Sequence, residues 1–486
     1  MSSPCARGDR ARPTSRVVVV GGGIAGLAAA HRLVEIGRDQ GRPIEVVLLE
    51  ASPRLGGTIR TERADGFLLE AGADSFISEK PWALALAERI GLGPRLRRTD
   101  DRFRRTYVVR GGRLRPLPDG FLLLAPTRAW PVLASRVFSW RGKLRLGLDL
   151  ALPRRRANGD ESLGSFVRRR LGKEALERVA QPLVGGIYTA DPDRLSLAAT
   201  MPRFLALERE HRSLIVGLRR TARREAVGAS GARWSLFVTL AGGMEELVSA
   251  LAARLPDGAV RLATPVAAIA RSSGGGWRVD LPDGAPLEAD GVVLAGPAPR
   301  MAPVIRGVDP ALAGLLEGIA YASSATIALA YPRAAVRHRL DGFGFVVPQV
   351  ERRPVLACTF SSVKYPERAP DGFVLLRVFV GGAMQAGLLA EDDRTLLKLA
   401  HRDVAALLGI AGDPILSRLW RHPGTMPQYA VGHLEHVAAI EARLEALPGL
   451  AVAGGAYRGV GIADCVRSGE TAAELVSAGH EGRRGG

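Results

Sequence analysis

The chain has 486 residues, 47% hydrophobic and 24% charged, which is enough length and apolar content to bury a large core and excludes the disordered and fibrous classes. Basic residues outnumber acidic ones 67 to 49, for a formal net charge of +18. Only five of them are lysines, so the arginine excess reads as coding bias and is not by itself a nucleic-acid signature. Cys5, Cys358 and Cys465 stand far apart with no CxxC, which excludes a disulfide scaffold and a zinc cluster and fits a reducing compartment.

Residues 1–16 are polar and basic with no apolar h-region, and they are expected to form a disordered arm, not a secretory leader. Val17–Val20 is a β-branched run suited to a strand buried on both faces. Gly21-Gly22-Gly23-Ile24-Ala25-Gly26 follows, then a helical stretch from Leu27 to Ile36 and a strand from Ile44 to Leu49 that ends on Glu50. Together these form a complete βαβ dinucleotide-binding unit. Gly21 lets the chain turn tightly, Gly23 lets backbone amides approach a pyrophosphate, and Gly26 lets the helix pack close to the sheet. The helix N-terminus supplies partial positive charge for the phosphates, Ile24 and Ala25 of the turn before it are counted with the cofactor-binding residues, and Glu50 is placed to accept hydrogen bonds from a ribose.

Glu50-Ala51-Ser52-Pro53-Arg54-Leu55-Gly56-Gly57-Thr58 resembles the segment that continues this fold in the amine oxidase-like FAD flavoproteins. The resemblance implies FAD as cofactor, with Ala51, Arg54, Gly56, Gly57 and Thr58 carrying the chain past the pyrophosphate; two adjacent glycines permit a backbone approach that side chains would block. It also implies an adenine-edge contact from Val266, at the end of a strand expected over Val260–Val266. A third return to the cofactor is read at Gly454-Gly455, Val460-Gly461-Ile462 and the helix beginning near Ala463, where another strand, glycine turn and helix N-terminus follow one another.

Between Arg95 and Arg156 stand 17 basic residues against four acidic ones. Within the same stretch, the apolar clusters of Phe121–Leu152 are broken by cations, a pattern that suits helices lying on a membrane surface and equally suits amphipathic helices packed on a domain. No run of 18 uncharged apolar residues is present, so no transmembrane helix is expected. His433 and His436 share a helical spacing but lack an evident third ligand, so no metal site is expected.

Further segments narrow the resemblance. Gly66–Phe76, Gly185-Gly186-Ile187-Tyr188-Thr189-Ala190-Asp191, Glu208–Ile215, Gly342–Pro348 and Tyr457–Val466 are similar to the oxygen-dependent protoporphyrinogen oxidase and coproporphyrinogen III oxidase family, over almost the whole chain. The resemblance implies removal of six hydrogens from a porphyrinogen in haem biosynthesis. The flavin accepts hydride, molecular oxygen reoxidises it, and hydrogen peroxide is released. No catalytic side chain is implied, because the cofactor carries the chemistry. Phe343, Val346, Thr359 and Phe379 match positions lining the macrocycle cleft. The arginine that anchors a propionate in relatives aligns with Thr106, and a one-residue slip assigns its role to Arg105. Gly455 replaces an asparagine common in relatives. Whether the substrate carries two propionates or four is left open, as is oligomeric state.

The expected architecture is α/β and α+β. A Rossmann-like FAD domain is drawn from residues 1–90, 230–300 and 440–486. A helical membrane-associating or cleft-capping domain spans 91–210, and a substrate domain with a mixed sheet spans 301–439. Arg219–Arg233 is read as a flexible connection. The expected location is the cytoplasm, with the inner face of the cell membrane as a peripheral surface. An amine oxidase or a carotene desaturase remains the alternative within the same frame. A nucleic-acid-binding role is disfavoured, because 5% aromatic content leaves few stacking platforms.

Overall fold

The computed structural model describes residues 15–118, 121–122, 125–126, 129–155, 159–228 and 236–484. The first fourteen residues of the expected N-terminal arm lie outside that set, and its last two, Ser15 and Arg16, already belong to a strand.

Five parallel strands form the nucleotide-fold sheet, in the order Val260–Arg261, Ile44–Leu49, Ser15–Val20, Gly291–Leu294 and Leu450–Val452. The sheet therefore joins three distant parts of the chain. Val18, Val19 and Val293 are fully buried, as a β-branched run covered on both faces requires. The strand expected over Val260–Val266 stops at Arg261. Beyond it the amides of Ala263 and Thr264 turn back to the carbonyls of Ser52 and Glu50, which leaves Val266 packed at the edge of the core.

Helix Ile24–Asp39 follows the glycine turn and is crossed closely by helix Ile462–Arg484. A Cβ on Gly469 would lie 2.1 Å from the carbonyl oxygen of Ala25, so a glycine is needed at the crossing.

The second sheet is mixed and has seven strands, in the order Leu416–Pro427, Tyr321–Pro332, Phe373–Gly381, Val355–Phe360, Gly344–Val346, Thr106–Arg110 and Arg113–Pro116. Its last two strands come from within the 91–210 segment, through a parallel pairing of Thr106–Val108 with Gly344–Val346. One face, carrying Tyr107, Phe345, Cys358, Val378 and Ile327, packs against Leu396, Ala400 and Val404 of helix Asp393–Leu408. The opposite face carries Ala328, Ala330 and Leu375 onto Phe67 and Leu69 of the hairpin that precedes Gly72.

The helical segment has its own core around Leu163, Phe166, Val167 and Leu214. Arg170 and Asp149 pair there with both side chains fully buried, and Asp149 also accepts from the hydroxyl of Ser213 and the amide of Ile215. Helix Leu214–Gly228 corrects the expected flexible connection over Arg219–Arg233. Alanine and arginine are good helix formers, and they outweigh the glycines that suggested a linker; residues 229–233 lie outside the described set.

Candidate functional site

The expected cofactor residues meet at the C-terminal edge of the parallel sheet. The carboxylate of Glu50 accepts hydrogen bonds from the amides of Gly22 at 2.6 Å and Ser52 at 2.8 Å, which places it at the mouth of the glycine turn. Gly21 has a φ of +111°, and a Cβ on Gly26 would stand 1.9 Å from its carbonyl oxygen. These two glycines are required by the fold itself. Gly23 differs, because a Cβ there meets no described atom within 4 Å. Open space directly over a helix N-terminus is what a pyrophosphate needs.

The 54–58 loop closes one wall of this cradle. Arg54 donates to the carbonyls of Leu55 and Ile59, each at 3.0 Å, and to that of Gly57. Gly56, held in place by this clasp, donates its amide to the carbonyl of Gly22 at 2.8 Å and bridges Gly23. Ala51, Gly57 and Thr58 are exposed beside it. The opposite wall is the C-terminal glycine turn, where Gly454 and Gly459 adopt φ values of +122° and +150° and Gly461 is exposed. Ile462 opens the last helix, and Val460 packs against the helical core.

Four residues hold this turn; the sequence showed no sign of Tyr429 and Lys80 and gave His433 and Asp464 no such role. The hydroxyl of Tyr429 donates to the carbonyl of Gly455 at 2.7 Å and accepts from the amide of Gly459 at 2.8 Å, clasping both sides of the turn. Its ring stacks on His433, whose Nε2 lies 2.8 Å from the carbonyl oxygen of Tyr457. Burial pushes the Tyr429 phenol up and the His433 imidazole down, so both stay neutral near pH 7. Lys80 reaches both carboxylate oxygens of Asp464 at 2.7 Å beneath the same turn. Tyr429 lies outside the glycine motif, and no local pattern marked it. A cleft of about 560 Å³ touches Gly454 and Gly459 from the outer sheet edge, but neither Gly21–Gly26 nor Glu50 lines it, so it is distinct from the cradle.

The five residues expected at the substrate separate into two groups. Register aligns Thr326, Phe379, Ala357, Val346, Val108 and Arg115 across six strands, and beside them Ala328, Arg377, Thr359, Gly344 and Thr106. Val346, Thr359 and Phe379 therefore share the face that looks toward the cofactor loop, where the hydroxyl of Thr326 donates to the carbonyl of Ala71 at 2.5 Å. Val346, Val108, Ala357 and Phe379 form one apolar cluster with Leu117 and Leu183. Phe343 and Arg105 are not brought into it. The amide of Phe343 pairs with the carbonyl of Arg105, and its carbonyl with the amide of Phe360, in the register of the opposite face. Arg105 bonds Asp341 at 3.0 Å, and Asp341 also accepts from the hydroxyl of Tyr107.

Residues 24–477 match the family of flavin containing amine oxidoreductases. The chain belongs to that family. Its relatives include coproporphyrinogen III oxidases of Propionibacterium freudenreichii, 40% identical over 95% of this chain and 90% of the relative, and of Bacillus subtilis, 35% identical over 94% and 96%. The protoporphyrinogen oxidase of Bos taurus is 33% identical over 95% and 98%. A crystal structure from Exiguobacterium sp. 255-15, assigned as a protoporphyrinogen oxidase, superposes with a TM-score of 0.85 at 32% identity over 97% of this chain and all of that one. UDP-galactopyranose mutase, at 17% identity and a TM-score of 0.70, shares the fold. Within this flavin family the chain falls in the porphyrinogen oxidase branch, and a flavin is its cofactor type.

Against that family frame, many arginines of the 95–156 cluster are tied down locally. Arg95 pairs with Glu246, Arg97 with Glu367, Arg102 with Asp100, and Arg145 donates to the carbonyls of residues 168–170. His436 lies 2.7 Å from the carbonyl of Leu315. The described residues hold no group of three metal-ligating side chains.

Proposed function

We propose that the chain is an FAD-dependent, oxygen-dependent porphyrinogen oxidase of haem biosynthesis, acting on protoporphyrinogen IX or coproporphyrinogen III. The observation that carries this reading is the open space over Gly23, bounded by Glu50 and Gly56, in a chain whose second sheet groups Val346, Thr359 and Phe379 on one face. Gly21–Gly26, Glu50, Ala51, Arg54 and Gly56–Thr58 would hold the dinucleotide. Gly454, Gly455 and Val460–Ile462 would hold the flavin end, and Val266 the adenine edge. Bound there, FAD supplies hydride acceptance, with molecular oxygen as the final acceptor and hydrogen peroxide as the by-product over three rounds.

The chain's own part is to bind, orient and exclude water. The partly exposed ring of Phe379, backed by the buried cluster of Val108, Val346 and Ala357, suits the flat face of a macrocycle. Its carboxylate arms need a cation at the rim. Arg115 pairs with Val108, which puts it one strand further along the same face and makes it our candidate for that cation, whereas Arg105 is engaged by Asp341. We therefore assign the propionate contact to Arg115 in place of Arg105. Trp130, Trp140, Leu144 and Leu148 lie exposed beside Lys143 and Arg141, which supports a peripheral membrane contact through the helical segment; no helix among the described residues is long and apolar enough to cross a membrane. The division into an FAD unit, a helical cap and a substrate unit is retained, with Thr106–Pro116 reassigned to the substrate unit.

Porphyrin fluorescence tests the reading directly. The purified chain should carry a flavin spectrum and convert one or both porphyrinogens in air. A colourless chain that gains no flavin, or a flavoprotein inert toward both substrates, overturns it.

A further inference from the structure

Five ionisable side chains gather where the hairpin ending at Glu70 and the turn after it meet the substrate sheet: Glu70 and the half-buried Asp74 on one side, and Lys364, Arg368 and Arg377 of the sheet unit on the other, all but Asp74 buried. Lys364 holds both oxygens of Asp74 at 3.2–3.3 Å and the hydroxyl of Ser75 at 3.1 Å. Arg368 lies 3.2 Å from Glu70 and donates to Thr239 at 2.7 Å. These two cations are committed to holding the hairpin and its turn.

Arg377 is placed differently. Its Nη2 donates to the carbonyl of Gly72, and its nearest carboxylate, Asp74, stands 3.8 Å away with Lys364 already on it. Its guanidinium lies over the ring of Phe379 at 4.7 Å, and Thr359 is its direct cross-strand partner. Gly72 is pressed against the 54–58 loop, since a Cβ on it would stand 1.8 Å from the carbonyl oxygen of Thr58. One side chain thus touches the wall expected at the substrate and the Gly72 backbone that backs the 54–58 loop.

Stability alone does not account for this arrangement. Burying a guanidinium costs several kcal/mol before pairing, and the Nε of Arg377 has no acceptor among the described residues. An apolar side chain would fill the same space without that cost, and Asp74 would keep Lys364.

We propose that Arg377 is a positioning residue for porphyrinogen oxidation, fixing the Phe379 ring and the Gly72 carbonyl relative to each other so that the macrocycle wall keeps its distance from the cofactor loop. This rests on the porphyrinogen oxidase reading above. Arg377 acts through Phe379 and Gly72, without itself exchanging protons or electrons.

The experiment uses the flavin-loaded chain with Arg377→Met, Arg377→Lys, Phe379→Leu and the double variants. Flavin content, kcat and KM are measured for whichever porphyrinogen the wild type oxidises. Arg377→Met should retain stoichiometric flavin and raise KM about tenfold, and Arg377→Lys should recover to within about threefold of wild type. Adding Phe379→Leu to either Arg377 variant should cost little more than Phe379→Leu alone, because both changes release the same ring. Unchanged kinetics in Arg377→Met, or losses that multiply in the double variants, overturn the proposal. If Arg377→Met does not accumulate as folded protein, the Arg377→Lys/Phe379→Leu cycle decides by the same criterion. A wild-type chain that turns over neither porphyrinogen overturns the underlying reading instead.

Discussion

Glu50 and Gly22 are locked together by a hydrogen bond of 2.6 Å from the Gly22 amide, while the other carboxylate oxygen of Glu50 accepts from Ser52. Both oxygens therefore act as acceptors, and an amide side chain cannot replace them, because its NH₂ would face an N–H. Glu50→Gln should lose one such bond to a charged group, worth about 1.5–3 kcal/mol, and retain flavin roughly 10- to 100-fold more weakly. Equilibrium dialysis of FAD against the apoprotein measures this; unaltered affinity would remove Glu50 from the cofactor site.

Gly23 and Gly26 belong to one motif but should fail in different ways. An alanine Cβ at position 26 would overlap the Gly21 carbonyl, and overpacking of rigid backbone costs about 1–3 kcal/mol or more. Gly26→Ala should therefore lower the melting temperature of the apoprotein. At Gly23 φ is −70° and no described atom stands within 4 Å, so Gly23→Ala should leave apoprotein melting unchanged and abolish flavin uptake. Equal destabilisation by both would mean that the space over Gly23 is not a ligand's.

The contrast shows which parts of the site were legible in the sequence. The βαβ unit was, because Gly21, Gly23, Gly26 and Glu50 act within one local supersecondary unit whose geometry their spacing dictates. The substrate face was only partly so. Val346, Thr359 and Phe379 fell on one side, but whether Arg105 or Thr106 shares it depends on a parallel pairing with a strand more than 230 residues away, and a slip of one residue changes the face. The Tyr429 clasp and the Lys364–Asp74 pair are likewise contacts between distant segments, with no periodicity to announce them.

That register makes a kinetic prediction. Arg115→Ala should raise KM for porphyrinogen about tenfold or more, the cost of a lost charge-assisted carboxylate contact. Arg105→Ala should chiefly free Asp341 and leave KM within about twofold. Steady-state fluorescence assays of both variants, with flavin content checked, reverse the assignment if Arg105→Ala is the impaired one.

Glu70 predicts a pH dependence of stability. Burial pushes its carboxyl up to about 7, against an ordinary value of 4.5, although the Arg368 guanidinium and the Met244 amide pull the other way. Between these values the unfolded chain has released a proton that the native chain retains, so rising pH favours unfolding across that window. The contribution is greatest below pH 4.5 and gone above about 7. Glu70→Gln should flatten this segment of a urea-denaturation profile measured from pH 5 to 8; an identical slope in both proteins would show that Glu70 ionises normally.

The helical segment predicts a surface behaviour. Val132, Val137, Phe138 and Leu146 are buried in its core, which satisfies the packing role of these amphipathic stretches. Trp140, Leu144 and Leu148 nevertheless follow at helical spacing on the outside, 70%, 74% and 52% exposed, with Lys143 over the Trp140 ring at 4.4 Å. Packing has no use for that second apolar stripe, whereas an anionic bilayer would take both the stripe and the cations. The flavin-loaded chain should co-sediment with vesicles rich in phosphatidylglycerol. Trp140→Ser/Leu144→Ser should weaken binding about tenfold or more while leaving flavin content and turnover of detergent-dispersed substrate unchanged, since each side chain lifted from the interface forfeits about 1.5–3 kcal/mol of apolar burial. Binding that persists in the double variant, or that vanishes from wild type in about 0.5 M salt, would assign the contact to the arginine-rich surface alone.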